Sequence, residues 1–565
     1  MQLTDNAIKV LEARYLLRDE KTGIVETPEQ MFRRVSAAVA SSEEIYNSRS
    51  SEWEEKFFEI TSSLRFLPNS PALMNAGRLS GQLAACFVLP LEDSMNSIFD
   101  TLKNAALILQ SGGGTGFSFS RLRPRSDAVR STGGIESGPV SFIKIYNTAT
   151  EVIKQGGVRR GANMGVLRID HPDILEFVRA KRIHDHLENF NISVAVTDEF
   201  MSALADDKYY QLVNPRTKGI DRMISAKEVF DEIVLSAWET GDPGLLFIDR
   251  INRANPTPLL GSFETTNPCG EQPLLPYEAC VLGSLNLSAY VNSKAIDYEG
   301  LSRDISVAVR FLDNMIDASW YPLKEIEQMH NGNRKIGLGV MGWADMLIKL
   351  EIPYDSQKAF DTAGAVMSFI NKKSKEASAE LAAVRGVFPN FKGSVYDSSS
   401  MPRVRNATTT TIAPTGSLSV IADCSSGIEP IFSLSYKRYV LDTEFTEVNK
   451  YFMQTAKERK FDSDDVIENV MRKGSCRGLS GVPLDIKRIF KTAHEIKPVA
   501  HIKMQAAFQR FTDNAVSKTI NLPHTASKSD VAEAFLYAYD KGVKGITIFR
   551  YGSKKGTLFH GRRSR

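Results

Sequence analysis

Short runs of β-branched and apolar residues alternate with amphipathic helical segments along most of this chain. The run 405–412 precedes a helical pattern at 418–422, and the run 517–522 precedes apolar residues at helical spacing between Val531 and Ala538. Such alternation is typical of a parallel-rich sheet covered by helices. Because we find no repeat at a fixed period and no linker, residues 66–552 are predicted to form one large α/β domain.

The first 65 residues have a different pattern and are predicted to form a helical domain. Thr27 and Gln30 flank a proline in the arrangement of a helix N-terminal capping box, and apolar residues follow at helical spacing. The segment 52–64 continues in the same style. A stretch of turn character at 67–71 is predicted to be the loop that ends this domain.

Charge and hydropathy exclude several classes of function. The chain has 70 basic and 67 acidic residues, a net charge of +3, which gives no reason to expect a nucleic-acid partner. The basic cluster 561–565 ends a tail, 553–565, that is predicted to be solvated. No segment has the pattern of a secretory signal or a membrane span, so we expect a cytoplasmic protein with no membrane partner.

The cysteine spacing and the glycine-rich segments give little support for a metal site or a nucleotide-binding loop. The five cysteines are too sparse for a disulfide scaffold and form no C-x-x-C zinc pattern, so no metal site is predicted, and Cys424 and Cys476 are expected to be buried. The segment 336–342 fits G-x-G-x-x-G but follows a polar stretch, which favours close helix packing over a dehydrogenase site. The segment 112–116 lacks the Lys-Ser/Thr ending of a P-loop and is interpreted as a tight turn.

The segment N-P-C-G-E, residues 267–271, is the most informative in the chain. Proline and glycine beside Cys269 fix a rigid, exposed turn, where a reactive sulfur is expected. Glu271 is a candidate base, and the Asn267 amide can orient hydroxyl groups because it both donates and accepts. On these residues alone, a buried cysteine beside a surface turn remains the alternative.

This segment, followed by Y-E-A-C-V-L-G-S-L-N-L at 277–287, resembles the finger loop and redox-cysteine pattern of ribonucleotide reductases. The family's partner cysteine lies in A-C-F-V-L-P followed by D-S, a pattern met by 85–90 and 93–94. Further similar segments follow in family order at 137–141, 155–161, 413–417, 508–510 and 517–521. The resemblance spans nearly the whole chain.

The resemblance implies a role for each residue of this pattern. Cys269 would carry a transient thiyl radical that removes the ribose 3′-hydrogen, while Glu271 would take the 3′-hydroxyl proton and Asn267 would hold the hydroxyls. Cys86 and Cys280 would supply the reducing equivalents and close into a disulfide. The implied reaction converts ribonucleotides, with diphosphates expected over triphosphates, to 2′-deoxyribonucleotides.

The family fold is a ten-stranded α/β barrel of two five-stranded halves, with the Cys269 loop threaded through its middle and a helical N-terminal domain. The implied substrate-phosphate site is the loop after the β-branched run 408–412, where free N–H groups at a helix start suit an anion, with the loop 69–71 as a second wall. A plain capped helix is the alternative. The residues expected to contact the phosphates are Ser70, Pro414, Thr415, Gly416 and Ser417.

Members of this family also bind a deoxynucleoside triphosphate effector at a homodimer interface, where it selects the substrate base. The segment 182–186 is expected to link the effector site to the substrate site. The alternative is that it forms only a charged surface loop. The positions that correspond to the effector site are Asp93, Ser94, Gln110, Arg123, Arg159 and Arg182.

The radical source is inferred by comparison within the family. Residues 545–550 lack the adjacent tyrosine pair of members that use a separate metal-containing subunit, and 550–553 do not match the motif of the glycyl-radical class. The remaining cofactor is adenosylcobalamin. A catalytic subunit that needs a separate metal-containing radical subunit, and a non-catalytic nucleotide sensor, are the alternatives.

Two expectations concern the ends of the chain. Too few residues precede the predicted barrel for an ATP-cone domain, so no overall on/off site is expected. No cysteine follows Cys476. Either the chain continues past Arg565, or a thioredoxin-like protein or small dithiol reduces Cys86 and Cys280 directly.

Overall fold

The computed structural model describes residues 3–19, 23–79, 81–125, 127, 137–155, 159–183, 187–440 and 443–553. Only the backbone is described at 154–155, 159–160, 183, 437–440 and 443–447. The predicted basic tail lies outside the described residues, except for Ser553.

The helices are α1 (Asp5–Arg14), α2 (Pro28–Ala40), α3 (Ser50–Ser62), α4 (Ser70–Asn75), α5 (Met95–Gln110), α6 (Pro139–Val152), α7 (Ile174–Ile183), α8 (Asp198–Ala205), α9 (Ala226–Thr240), α10 (Ile248–Arg253), α11 (Tyr298–Ala318), α12 (Lys324–Asn333), α13 (Trp343–Lys349), α14 (Gln357–Arg385), α15 (Gly416–Ile421), α16 (Lys450–Glu458), α17 (Asp464–Lys473), α18 (Leu484–Ile489), α19 (Pro498–Gln509) and α20 (Lys528–Asp540).

The strands are β1 (Arg18–Asp19), β2 (Gly23–Ile24), β3 (Phe66–Pro68), β4 (Cys86–Val88), β5 (Gly114–Ser118), β6 (Lys154–Gln155), β7 (Arg159–Arg160), β8 (Asn163–Arg168), β9 (Phe190–Val196), β10 (Tyr209–Val213), β11 (Ile220–Ser225), β12 (Gly244–Phe247), β13 (Thr265–Thr266), β14 (Pro273–Leu274), β15 (Ala279–Asn286), β16 (Val291–Asn292), β17 (Ala295–Ile296), β18 (Ile336–Met341), β19 (Ser435–Val440), β20 (Thr443–Val448), β21 (Thr519–Leu522) and β22 (Gly545–Arg550).

The N-terminal part is helical, as predicted. Thr27 accepts a hydrogen bond from the backbone of Gln30, whose side chain accepts one in return, so the predicted capping box starts α2. Phe32 and Val35 on this helix are fully buried and belong to the same hydrophobic core as the main sheet. The predicted boundary at residue 65 between a helical domain and the barrel stays a prediction.

The main sheet has the strand order β18-β15-β4-β5-β8-β9-β12-β22-β21, and β3 pairs additionally with β15. Strands β4, β5, β8, β9 and β12 are parallel to one another, whereas the pairs at the two ends of this set, β15·β4 and β12·β22, are antiparallel. The sheet therefore changes direction at two places, on either side of one set of five parallel strands.

The segment 408–412 lies between the edge strands β18 and β21 and completes a second set of five parallel elements. Thr410 bridges Leu338 of β18 in parallel, and Ile412 bridges Val516, just before β21. With β15, β18, β21 and β22, the segment 408–412 forms five parallel elements that join both edges of the sheet. This arrangement confirms the predicted fold of two five-stranded halves.

Three local interpretations need correction. Residues 67–71 are not a simple loop, because Phe66–Pro68 pairs with β15 and α4 begins at Ser70. The glycines of 112–116 lead directly into β5 instead of only turning the chain. The segment 336–342 is mostly a buried strand of the sheet, β18, rather than a site of helix packing.

A second, smaller core lies beside the barrel in residues 431–490. Phe452, Val470, Cys476 and Phe490 are buried together there, with α16, α17 and α18 around them. In the part of the chain that the structure describes, no helix is both long and apolar enough to cross a membrane.

Candidate active site

Two of the predicted catalytic cysteines lie directly opposite each other. Cys86 of β4 and Cys280 of β15 are register partners in an antiparallel pair, and each is at least 96% buried. Opposed residues in such a pair have Cα atoms about 4.5–5.5 Å apart, within the range that a disulfide spans. Both are thiols here. Strand pairing therefore makes disulfide formation between them geometrically possible.

The finger loop, residues 267–271, passes between the two halves of the sheet. A β-carbon on Gly116 of β5 would lie 1.8 Å from the carbonyl oxygen of Thr266, so only glycine allows this approach. From the other half, the Ala515 amide donates to the carbonyl of Glu271 at 2.9 Å. Asn191 of β9 donates to the carbonyl of Pro268 at 2.7 Å. The expected threading of this loop is confirmed.

Asn267 connects the loop to the thiol pair. Its side-chain nitrogen donates to Cys86 Sγ at 3.0 Å, and its side-chain oxygen accepts from the Gln272 amide at 2.9 Å. The loop is held in a turn because the Gly270 amide donates to the carbonyl of Asn267 at 3.1 Å. The amide group is thus fixed beside the sulfur.

Glu271 is a buried carboxyl group with few partners. It is 2% exposed, and its Oε2 atom has no hydrogen-bond partner among the described residues. Burial raises its pKa to about 7, although a hydrogen bond with Asn267 and one with its own backbone act in the opposite direction. A carboxyl group with a pKa near neutral pH can exchange a proton under working conditions.

The buried thiols are held in their protonated form. Burial raises the pKa of Cys86 well above its usual value, and the charges on Glu271 and Cys280 would raise it further. Burial also raises the pKa of Cys280, which the nearby Lys335 opposes. Both sulfurs therefore carry a hydrogen atom at neutral pH.

Cys269 is placed differently from this pair. It is exposed at the tip of the loop and lines a cavity of about 1010 Å³ together with Pro268 and Gly270. The cavity extends along β9, β12, β21 and β22 to α15 and α16. The structure thus brings the five predicted catalytic residues to one loop and one strand pair, with Cys269 facing open space and the others buried.

The predicted phosphate-binding residues lie at the starts of two short helices, α4 and α15, which both contact the C-terminal end of α1 or the residue that follows it. Ser70 shares a hydrogen bond of 2.9 Å with the hydroxyl of Tyr15, and Ser417 Oγ accepts from Arg14 at 3.1 Å. Thr415 Oγ1 instead accepts from the Gly427 amide at 2.7 Å. Apart from its chain neighbours and the backbone of its own helix, no described heavy atom lies within 4 Å of a β-carbon built on Gly416. Of the predicted set, Pro414 lines the large cavity.

Arg14 and Tyr15 were missed by the sequence analysis. The N-terminal helix carries no motif that relates it to the loop at 413–417, which lies about four hundred residues away. The contact between Arg14 and Ser417 spans 403 positions. No signal in a single sequence indicates such a contact.

The predicted effector residues divide into separate groups. Asp93 accepts from the Arg123 backbone and pairs with its guanidinium at 2.8 Å, and Ser94 caps the start of α5. Gln110 ends the same 16-residue helix, roughly 24 Å away, so it does not join them. Arg182 pairs with Glu232 and Glu239. Of the predicted effector residues, the structure therefore brings together Asp93, Ser94 and Arg123.

Two other predictions fall partly or wholly on undescribed residues. Arg159 lies in strand β7, and its side chain is not described. Residues 184–186 of the segment 182–186 lie outside the described chain. No conclusion about effector contact follows at these positions.

The two cysteines outside the motifs differ. Cys476 is 1% exposed in the second core, as predicted. Cys424 is only half-buried and lines the large cavity, where burial raises its pKa with a further contribution from Asp345. The expectation that Cys424 is buried is therefore wrong in part.

Comparisons with known proteins agree with this geometry. The family described as "Ribonucleotide reductase, barrel domain" matches residues 84–403 and 400–549, and "Ribonucleotide reductase, all-alpha domain" matches residues 1–81. A vitamin B12-dependent ribonucleoside-diphosphate reductase of Thermoplasma acidophilum is 49% identical, with 98% of this chain and 80% of that protein covered. A protein of the same description from Mycobacterium tuberculosis is 47% identical, with 99% and 81% covered.

Among solved structures, the class Id ribonucleotide reductase alpha subunit of Actinobacillus ureae has a TM-score of 0.80, with 97% of each chain covered. Its sequence identity of 24% supports the fold alone. The family matches, by contrast, cover nearly all of this chain, and so do the two relatives at 49% and 47% identity. This chain belongs to the ribonucleotide reductase family.

Proposed function

We propose that this chain is an adenosylcobalamin-dependent ribonucleoside-diphosphate reductase of the cytoplasm, where the reducing environment would maintain its thiols. One observation carries the proposal: Cys86 and Cys280 face each other in strand register, and Asn267 and Glu271 adjoin them on a loop whose tip is Cys269. A nucleotide sensor without catalysis would have no use for these five groups together.

The cavity beside Cys269 fits a large cofactor. Its volume of about 1010 Å³ is at the upper end of small-molecule sites, and both apolar residues such as Ile431 and Phe549 and polar residues such as Asn449 line it. When bound, adenosylcobalamin would supply a carbon-centred radical by homolysis of its cobalt–carbon bond. Cys269 presents an exposed thiol to this cavity, and that thiol can donate a hydrogen atom.

The substrate ribose would lie on the buried side of the finger loop. The Cys269 thiyl group would take the 3′-hydrogen atom while Glu271 accepts the 3′-hydroxyl proton. The 2′-hydroxyl then leaves as water. Cys86 and Cys280 together would give two electrons and two protons and become a disulfide, and Cys269 would return a hydrogen atom to C3′. Both buried thiols start protonated, which this balance requires.

Two further parts of the proposal rest on other surfaces. The substrate phosphates would lie between Ser70 and Ser417, where the guanidinium of Arg14 adds a positive charge.

A homodimer with a deoxynucleoside triphosphate effector near Asp93 and Arg123 is supported by exposed apolar side chains on α5 and α6. These side chains are Met95, Phe99, Leu107, Ile145 and Val152.

The test is anaerobic conversion of cytidine diphosphate to its deoxy form with dithiothreitol, with and without adenosylcobalamin. We expect turnover only with the cofactor, none with Cys269→Ala, and near-normal turnover with Cys476→Ala, a control at a buried cysteine away from the site. Turnover that appears only after a metal-containing radical subunit is added would refute the cofactor assignment. Undiminished turnover of Cys269→Ala would refute the radical site.

A further inference from the structure

A second cavity, of about 430 Å³, lies between α14, α18 and α19 on the outer side of the second core. Its volume is within the range of small-molecule sites. The segment 491–497 separates it from the active-site cavity, since Ala493 lines the large cavity whereas Lys491, Glu495 and Lys497 line this one. It is thus distinct from the proposed active site. No residue of the predicted substrate and effector sites lines it.

The lining of this cavity is strongly basic. It includes two acidic residues, Asp355 and Glu495. The basic residues are Arg477, Lys487, Arg488, Lys491, Lys497 and Lys503. Because the whole chain has a net charge of only +3, this concentration of positive charge is local and not a reflection of composition.

Both carboxylates are already engaged. Asp355 pairs with Lys491 at 2.6 Å. Glu495 accepts from the Ser475 hydroxyl at 2.6 Å and from the Thr492 amide at 2.8 Å, as part of a capping box. Among the described residues, no ion pair is formed by the other five cations of the lining. Five positive charges thus face one cavity with no acidic ion-pair partner in the described parts of the chain.

The remaining wall of the cavity is apolar. Leu484 is 74% exposed and Val499 47% exposed, although both are large apolar side chains. The ring of Phe360 lies beside them with Lys503 Nζ 5.9 Å from its centroid. Cations on one side and an aromatic and aliphatic surface on the other match a ligand with both a polyanionic and a planar apolar part.

We propose that this cavity, named here the basic cavity, binds a polyphosphate anion, with a nucleoside triphosphate as the ligand that uses both of its walls. Phosphate oxygens would accept from Arg477 and Arg488, whose planar guanidinium groups can each make two parallel hydrogen bonds, and from the lysines around them. The base would lie against Leu484, Val499 and Phe360. Inorganic tripolyphosphate has the same anionic chemistry and would use the cationic wall alone.

The test uses the full chain and two probes, adenosine triphosphate and inorganic tripolyphosphate. Binding is located by hydrogen–deuterium exchange, because nucleotides also reach the proposed substrate and effector sites. We expect each probe to protect peptides within 484–503. The cavity variant is Lys487→Gln with Lys503→Gln. The control is Lys457→Gln with Lys473→Gln, which removes two exposed helical lysines of the same region outside the cavity.

The expected result is loss of this protection and roughly tenfold or greater weakening of binding in the cavity variant, with the control unchanged. Tighter binding of adenosine triphosphate than of tripolyphosphate would identify the nucleotide as the ligand. Equal binding of the two probes would support a polyphosphate site but not a contribution from the apolar wall. Equal protection in the cavity variant and the wild type would overturn the proposal. Binding of single-stranded DNA but of neither probe would also overturn it.

Discussion

Glu271 in the finger loop and Glu43 at the junction of the N-terminal helices with the barrel are both buried glutamates in opposite electrostatic surroundings. Glu43 accepts from Arg310 at 2.6 and 2.8 Å, from Arg385 at 2.6 Å and from Asn314 at 2.8 Å. Glu271 has one oxygen without any described hydrogen-bond partner.

The pKa values follow this difference in partners. Burial acts to raise both, but the arginines hold the pKa of Glu43 at about 2, whereas Glu271 rises to about 7. Asp313 shares Arg385 with Glu43 and also pairs with Arg334, and its pKa is likewise lowered. We call Glu43, Asp313, Arg310, Arg334 and Arg385 the junction network.

The comparison teaches that burial alone does not make a carboxylate reactive. In the junction network each carboxylate pairs with at least two arginines, so it is fixed and holds distant segments together. Glu271 lacks such partners, which costs stability and leaves the group able to accept a proton. The following predictions test this contrast.

The largest expected effect is on turnover. Glu271→Gln removes the proposed base, so kcat should fall by roughly 10²–10⁴-fold. The free energy of unfolding at pH 7.5 should not fall, because the variant removes a poorly solvated charge. Glu264→Gln, at a partly exposed glutamate nearby in sequence that pairs with Arg121, is the control and should retain turnover. Full activity of Glu271→Gln would contradict the assigned role.

The next effect is on stability. Asp313→Asn leaves Arg334 and Arg385 short of a buried opposite charge and should lower the free energy of unfolding by about 3–5 kcal/mol, as measured by urea denaturation. Glu299→Gln on the same helix, at an 88% exposed side chain, is the matched control and should change it little. Equal stability of the two variants would show that the network does not stabilise the fold.

The pH dependence of activity should report Glu271. Its folded pKa of about 7 lies above its usual value of 4.5, and the deprotonated form is the base. The value of kcat/KM should therefore fall about tenfold per pH unit below pH 7. A flat profile between about pH 5.5 and 7.5 would contradict this assignment, provided that the cofactor remains bound across the range.

The two glutamates should also affect stability with opposite signs. For Glu271, the raised pKa gives stability that is present below pH 4.5 and lost as pH rises toward 7. For Glu43, the lowered pKa gives stability that is present above pH 4.5 and lost as pH falls toward 2. The stability gained by Glu271→Gln should thus grow between pH 5 and 8, to about 1–3 kcal/mol. Calorimetry of variant and wild type checks the sign.

The smallest expected effect concerns Arg14. Arg14→Ala should raise the KM for cytidine diphosphate roughly tenfold with kcat little changed, because it removes a charged hydrogen bond to the phosphates. Arg14→Lys should recover part of the loss. Arg18→Ala, at an arginine that donates to the carbonyl of Glu12, is the control. An unchanged KM for Arg14→Ala would remove α1 from the proposed phosphate site.

Local features of this fold were predictable from sequence. The capping box of Thr27 and Gln30 depends on residues three positions apart, and the rigid turn around Cys269 depends on its immediate neighbours. Both are present in the structure. The family pattern also predicted the two halves of the sheet, which no local propensity specifies.

Long-range contacts were not predictable in the same way. The glycines at 112–116 are visible in sequence, but the chain that passes against Gly116 lies 150 positions further on, at Thr266. The surroundings that separate Glu271 from Glu43 likewise depend on arginines far along the chain, such as Arg385. Residue type therefore indicated candidate acids, while tertiary contacts determine their pKa values.

The central claim is that Cys86 and Cys280 reduce the substrate, and a single turnover without external reductant tests it most directly. Prereduced enzyme with adenosylcobalamin and cytidine diphosphate should form deoxycytidine diphosphate in a stoichiometric amount, with a new disulfide mapped to Cys86 and Cys280 by mass spectrometry. Product formation at the wild-type yield by Cys86→Ser with Cys280→Ser, or a disulfide between other cysteines, would contradict the account.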